Sequence, residues 1–334
     1  MKKFAKVCFM IAAGMGIVGC LLCLISVIGG GGTMISYAND NYVWSRLEEK
    51  GGILADKLRR LSGHLDEEEL EAVFEEDRLR VLSDDETSKE LRINDEDVKG
   101  ALERQIDTGD VRDLYLQLGA GSFTLSEKEA GEGESIDLYI QGEGKCDVYV
   151  KDGTLYIEGF KGNHVLGTDF GKNNILLKFP MGMRFDEVEI EVGAGIMEAW
   201  NINAKEIEAS VGAGALSLYQ SEAKELSVEV GAGELYTQDV SVREADLTVS
   251  VGTCSYQGSI FESLEAECDM GNMEFLLKGR ESDYNYEIEC SGGNIEMDSF
   301  NTAAFALEKE INNGAAHTFE LSCSMGNISV HFEE

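Results

Sequence analysis

From about residue 111 onward, apolar and polar positions alternate in short runs, and each run ends in a glycine-rich turn. Val188-Glu-Ile-Glu-Val192 leads into Gly193-Ala194-Gly195. Ile207-Glu-Ala-Ser-Val211 leads into Gly212-Ala213-Gly214, and Leu226-Ser-Val-Glu-Val230 into Gly231-Ala232-Gly233, with a spacing of 19 residues both times. Alternation with period two is the mark of a strand, because successive side chains point to opposite faces. Val188, Ile190 and Val192 therefore point inward, as do Ile207, Ala209, Val211, Leu226, Val228 and Val230. A second short strand follows each turn, with Met197 and Ala199, Leu216 and Leu218, and Leu235 and Thr237 inward. A third, shorter stretch is marked by Ile202 and Ala204, and by Val240 and Val242.

The frame continues with drift. Leu116-Gln-Leu118 precedes Gly119-Ala120-Gly121, and Leu247-Thr-Val-Ser-Val251 precedes Gly252-Thr253-Cys254. Leu264 to Cys268, Tyr286 to Cys290 and Phe319 to Cys323 repeat it again, each before a turn containing Gly-Asn. A period near 20 residues defines stacked repeats, in which no coil buries its apolar face alone. The expected fold is all-β: a right-handed parallel β-helix, or β-solenoid, of about 19–22-residue coils. The hand follows from the right-handed crossover rule. The glycines would serve positive φ or close backbone packing. An antiparallel sandwich of hairpins is the alternative.

The first part of the chain has a different pattern. Val7 to Ile28 is an almost unbroken apolar run, long enough to cross a hydrocarbon core of roughly 30 Å as a helix. Lys2, Lys3 and Lys6 precede it and no basic residue follows until Arg46, which places the N-terminus in the cytoplasm and the bulk outside. A cleaved signal peptide and lipidation at Cys20, within the lipobox-like Ile17-Val18-Gly19-Cys20, are the competing readings. Residues 37–110 are acidic, with helix-type spacing at Leu47, Leu54, Leu58 and Leu61 and a capping-box pattern at Asp66 and Glu69. The expected organisation is a tail and transmembrane anchor over 1–36, a partly helical acidic spacer over 37–110, and the solenoid over 111–334.

Composition narrows the function. A net charge of -35 over 334 residues disfavours nucleic acid, whose phosphates would be repelled. Thirty-eight glycines beside a single proline, with 43% hydrophobic residues, fit short strands and tight turns better than disorder. His64, His164, His317 and His331 lack metal-ligand spacing; the Cys-x-x-Cys spacing at Cys20 and Cys23 lies inside the apolar run, and no nucleophile elbow or phosphate loop is present. No cofactor is expected and the chain reads as non-enzymatic. Cys268, Cys290 and Cys323 take the inward slot of Val192, Val211 and Val230; they form either a ladder of thiols or a disulfide between Cys268 and Cys290.

The outward face carries the candidate site. Glu189, Glu208, Ser227, Thr248, Glu265 and Glu287 are expected in one column, and Glu191, Ser210, Glu229, Ser250, Glu267 and Glu289 in a second. Stacked carboxylates suit a cationic partner or divalent cations, and equally a solvated face that resists association. The repeats after Leu176-Leu177-Lys178-Phe179-Pro180 resemble a bacterial putative-adhesin domain family, over roughly residues 111–334. The resemblance implies a surface protein that contacts a cell-envelope or cell-surface component. The alternatives are an envelope-stress accessory paired with another membrane protein and, less favoured, a polysaccharide-active enzyme. Glu333 and Glu334 are expected to help close the far end of the solenoid.

Overall fold

Strands follow one another closely because the alternating segments are short and are broken by tight turns, some at glycines and others at the positive-φ residues Asn201, Gln220 and Asp239. The computed structural model describes residues 92–93, 97–161, 173–302 and 306–333, all within the unit Leu65–Glu334. The expected membrane run, the lipobox-like segment and the leucine-spaced helices lie outside the described residues. The first group of strands is β1 (Arg92–Ile93), β2 (Asp97–Ile106), β3 (Asp113–Leu118), β4 (Ser122–Glu127), β5 (Ile136–Lys151), β6 (Thr154–Lys161) and β7 (Asn174–Phe179). The central group is β8 (Phe185–Val192), β9 (Ile196–Trp200), β10 (Ala204–Val211), β11 (Ala215–Tyr219), β12 (Glu222–Val230), β13 (Glu234–Gln238), β14 (Val240–Val249), β15 (Thr253–Cys268) and β16 (Asn272–Lys278). The last group is β17 (Tyr284–Cys290), β18 (Asn294–Met297), β19 (Phe300–Thr302), β20 (Leu307–Ile311), β21 (His317–Cys323) and β22 (Asn327–Glu333).

The central strands stack in parallel, coil upon coil. β8, β10, β12, β14 and the second half of β15 form one wall, with Val188, Ile207, Leu226, Ala245 and Leu264 in register. β9, β11, β13, the first half of β15, and β16 form the other, with Met197, Leu216, Leu235, Cys254 and Met273 in register. The third stretch is short but paired: Val240, Ser241 and Val242 lie beside Gly258, Ser259 and Ile260. The fold is all-β and solenoid-like, and these parallel ladders exclude a sandwich of hairpins for the central coils. Every inward residue named above is buried, from Val188 at 0% exposure to Ala209 at 7%. Each Val, Leu or Ile so buried contributes roughly 1.5–3 kcal/mol.

The register corrects one repeat. Ala245, not Leu247, stands opposite Leu226, and Leu247 stands opposite Val228. The spacing therefore stays at 19 residues, and Ser250-Val251-Gly252 occupies the Gly-Ala-Gly turn. The glycine kept in every turn is the second one. Gly195, Gly214, Gly233, Gly252 and Gly271 do not have positive φ. A β-carbon on Gly214, Gly233 or Gly252 would come 2.8 Å from Cγ1 of Val192, Val211 or Val230 on the previous coil. Close packing, then, is what these turns require.

Both ends depart from chain order. At the start, β3 and β4 lie directly against β8 and β9, with β6 and β7 outside them. β5 then runs antiparallel to β6 and β7, and β2 runs antiparallel to β5. The sheet thus starts upstream of residue 111, and Asp97–Ile106 is a strand within the stretch expected as spacer. Its alternation was masked by the charges around it.

At the other end β21 sits between β15 and β17, and β22 between β16 and β18. The final strand is therefore internal. Antiparallel β19 and β20 cover this end rather than Glu333, whose strand position is opposite Lys278. The inserted coil also separates Cys268 from Cys290, so of the two readings the disulfide between them is not formed. Cys323 lies in register with both, and all the described cysteines are free.

Candidate functional site: the outward carboxylate face

The wall built from β8, β10, β12, β14, β15, β21, β17 and β20 presents a shared outer face, because inward and outward residues alternate from the first apolar residue of each repeat onward, as from Val188 to Val192 in β8. Its first column is Glu189, Glu208, Ser227, Asp246, Glu265, Glu320, Glu287 and Glu310. Its second is Glu191, Ser210, Glu229, Thr248, Glu267, Ser322, Glu289 and Glu308. All eight glutamates expected on the face are there. The columns nevertheless differ from expectation in the corrected coil. Asp246 replaces Thr248 in the first, Thr248 replaces Ser250 in the second, and Ser250 moves to the turn. Glu265 and Glu287 are separated by Glu320, and Glu267 and Glu289 by Ser322.

A third column escaped the sequence reading. Glu187, Glu206, Glu225 and Glu244 are in register beside the first two. Their signal was the same 19-residue spacing, hidden because these positions precede the apolar residues that define each repeat. No column position from β8 to β20 is basic. The nearest cations flank the face: Lys205 pairs with Asp186 at 2.5 Å, and Arg243 binds Glu262.

Neighbouring strands lie about 4.8 Å apart, so each carboxylate feels the next. Partial burial raises the Glu189 carboxyl above its usual range, and Glu191 and Glu208 push it further. Burial also raises Glu206, helped by a hydrogen bond with Glu208. Glu265 is raised by burial and then by Asp246, Glu320 and Glu267. The face is a line of negative charge held partly against its own repulsion.

Toward the first strands the character changes. Column one continues as Tyr115, Tyr156 and Tyr149, and column two as Gln117, Glu158 and Asp147. Tyr149 and Tyr156 stack at 4.6 Å, and Tyr115 donates to Glu191 at 3.0 Å. Gln117 also donates to Glu191. On the other wall Trp200 stacks on Tyr219 at 3.9 Å. Aromatic rings are thus concentrated in these stacked pairs.

Other surface features offer less chemistry. Among the described residues no group of three His, Cys, Asp or Glu side chains is arranged to hold a metal ion. A cavity of about 370 Å³ is lined by Lys278, Gly279, Arg280 and Glu333. Its cations are paired, Lys278 with Asp239 and Arg280 with Asp283, each at 2.8 Å. Along one corner the turn position held by Ala232 becomes Val251, Met270 and Met325 on successive coils, all exposed.

A capped, solenoid-like stack of glycine-turned coils with one acidic wall is thus the class of protein defined here. The family model described as Toastrack DUF4097 matches residues 127–329, and the chain belongs to that family. Among solved structures, the chain is similar to a putative adhesin from Bacteroides fragilis, at 13% identity and TM-score 0.38, covering 70% of this chain and 97% of that one. A putative cell adhesion protein from Clostridium sporogenes is similar at 14% identity and TM-score 0.31, covering 70% and 99%. A putative lipid binding protein from Parabacteroides distasonis is similar at 15% identity and TM-score 0.30, covering 70% and 97%. No curated protein matches the chain.

Proposed function

We propose that this chain is a non-enzymatic, membrane-tethered interaction protein of adhesin type, whose solenoid stands outside the cell and contacts a cationic component of the cell envelope or of a neighbouring surface. Val7 to Ile28 is its single span, with Lys2, Lys3 and Lys6 inside. Its coils wind right-handed, as the crossover rule requires. The observation that carries the reading is the acidic wall: three in-register carboxylate columns on one sheet face, without a basic residue among them. Burial, and after it the neighbouring carboxylates, raise Glu189, Glu206 and Glu265, and a partner with spaced positive charges would relieve the second of these. Long columns of carboxylates, interrupted by Ser227, Ser210, Thr248 and Ser322, suit an extended polymer better than a point ion, and they give no isolated acid–base pair of the kind hydrolysis uses.

The test uses the full-length chain in detergent, titrated with fluorescent polylysine as a cationic probe. Binding that falls steeply with salt and weakens several-fold in the triple variant Glu189→Gln, Glu208→Gln, Glu265→Gln supports the reading. Equal binding by the variant overturns it. Calcium added to the same assay reads the divalent-cation alternative, through a rise in melting temperature that the variant loses. Protease added to intact cells checks the topology: cleavage beyond residue 36 is expected from outside.

A further inference from the structure

The inward slot next to each turn holds Val192, Val211, Val230 and Val249, and then changes to cysteine for three consecutive coils. In space the order is Cys268, Cys323, Cys290, because β21 is inserted between β15 and β17. All three are buried, at 2%, 1% and 2% exposure. Residues directly paired on parallel strands are about 4.8 Å apart, within the roughly 4.4–6.8 Å that a disulfide spans between Cα atoms. The thiols of Cys268 and Cys323 are close enough that a thiolate on either one is stabilised by the other's thiol, and the two titrate as a pair.

We propose that Cys268 and Cys323 are a disulfide-forming pair, whose oxidation staples the inserted strand β21 to β15 and leaves Cys290 reduced. The oxidant is a disulfide, either of a small thiol or of a dithiol oxidoreductase. One of the two cysteine thiolates attacks one of its sulfurs, giving a mixed disulfide and releasing one thiol. The other thiolate then attacks the protein sulfur of that mixed disulfide and releases the second. Two protein thiols are oxidised by two electrons, one disulfide is reduced to two thiols, and the protons leave with the products. The bond would join the body of the solenoid to the strand that enters out of chain order, closing a long loop and penalising the unfolded state most. The alternative bond, Cys268 to Cys290, would bring β15 and β17 together and shut β21 out. Register places Cys323 beside Cys290 as well as Cys268; Cys268 is chosen because its bond to Cys323 closes the longer loop, and the pairing stands whether or not the acidic wall binds a partner.

The experiment refolds the reduced full-length chain in detergent with a mixture of reduced and oxidised glutathione, and digests it without reductant. Mass spectrometry should find the Cys268 peptide linked to the Cys323 peptide, with Cys290 free. Cys290→Ala should keep the link, and the oxidised protein should melt higher than the reduced one. Free thiols or glutathione adducts at Cys268 and Cys323 overturn the proposal, as does a link from either residue to Cys290 or to any other cysteine.

Discussion

Gly233 lies against Val211 of the previous coil so closely that a β-carbon on it would come 2.8 Å from Cγ1 of the valine. Gly231, two residues earlier in the same turn, would place a β-carbon 3.1 Å from the Gly212 carbonyl oxygen. That slot is filled by Ser250, Ser291 and Ser324 in other coils. Gly233→Ala should therefore cost about 1–3 kcal/mol, the range for an overfilled interior. Gly231→Ser should cost well under 1 kcal/mol. Urea denaturation of the two variants checks the contrast, and equal losses would remove the close-packing account.

The placement of β21 makes a second prediction. In a solenoid stacked in chain order, the last strands would be the least protected. Here Leu321 is 1% exposed between two parallel partners, whereas Ile311, earlier in the chain, is half-buried on the covering strand β20. Leu321→Ala should cost about 2–5 kcal/mol. Ile311→Ala should cost less than half as much. Thermal melts of the two variants rank them, and the reverse order would contradict the insertion.

The contrast between these strands also shows what was legible in the sequence. Inward and outward residues were readable because period two is a local property, and Val188 through Val242 are buried as it requires. Register was readable where the turns stayed Gly-Ala-Gly, and again at Cys268, Cys290 and Cys323, which take the slot of the repeated valine. At Val251-Gly252 a valine followed by glycine imitates the strand end, so Leu247 was aligned with Leu226. Only the contact of Gly252 with Val230 shows it to be the second glycine of the turn. The order of the last coils was not readable. Tyr286 to Cys290 and Phe319 to Cys323 have nearly the same pattern, and either would fit β15. The acidic face was mostly legible, yet Glu320 entered it through an insertion that no local feature announces.

Lys128 and Asp137 make a third prediction. Their ion pair is 2.6 Å long, with side-chain exposures of 1% and 13%, and Ser135 donates to Asp137 at 2.8 Å. It fixes the start of β5, the strand that closes the first end. Removing one partner leaves the other charge buried with too few contacts. Lys128→Met should cost about 3 kcal/mol. The double variant Lys128→Met, Asp137→Leu should recover a large part of that loss, since no buried charge remains. A double-mutant cycle followed by chemical denaturation measures both effects, and a neutral single variant would show the pair to be idle.

The acidic wall sets the pH dependence of stability, and its sign follows from the direction of each shift. Glu189, Glu206 and Glu265 have native values above that of an unfolded glutamate, about 4.3. Half-buried Glu234 on the other wall is raised by burial as well. Between the unfolded and native values the folded chain holds more protons, so stability falls as pH rises through that window. Asp186 acts in the opposite sense: its hydrogen bond and ion pair with Lys205 lower it, and its contribution is lost only as pH falls below the unfolded aspartate value. The chain should therefore melt at a higher temperature near pH 5 than at pH 7.5. Glu206→Gln and Glu265→Gln should flatten the difference. Added sodium chloride should raise the melting temperature more at pH 7.5, where the columns are fully charged and screening relieves more repulsion. Melting curves at two pH values and two salt concentrations suffice, and a higher melting temperature at pH 7.5 would mean that the carboxylate columns do not govern stability.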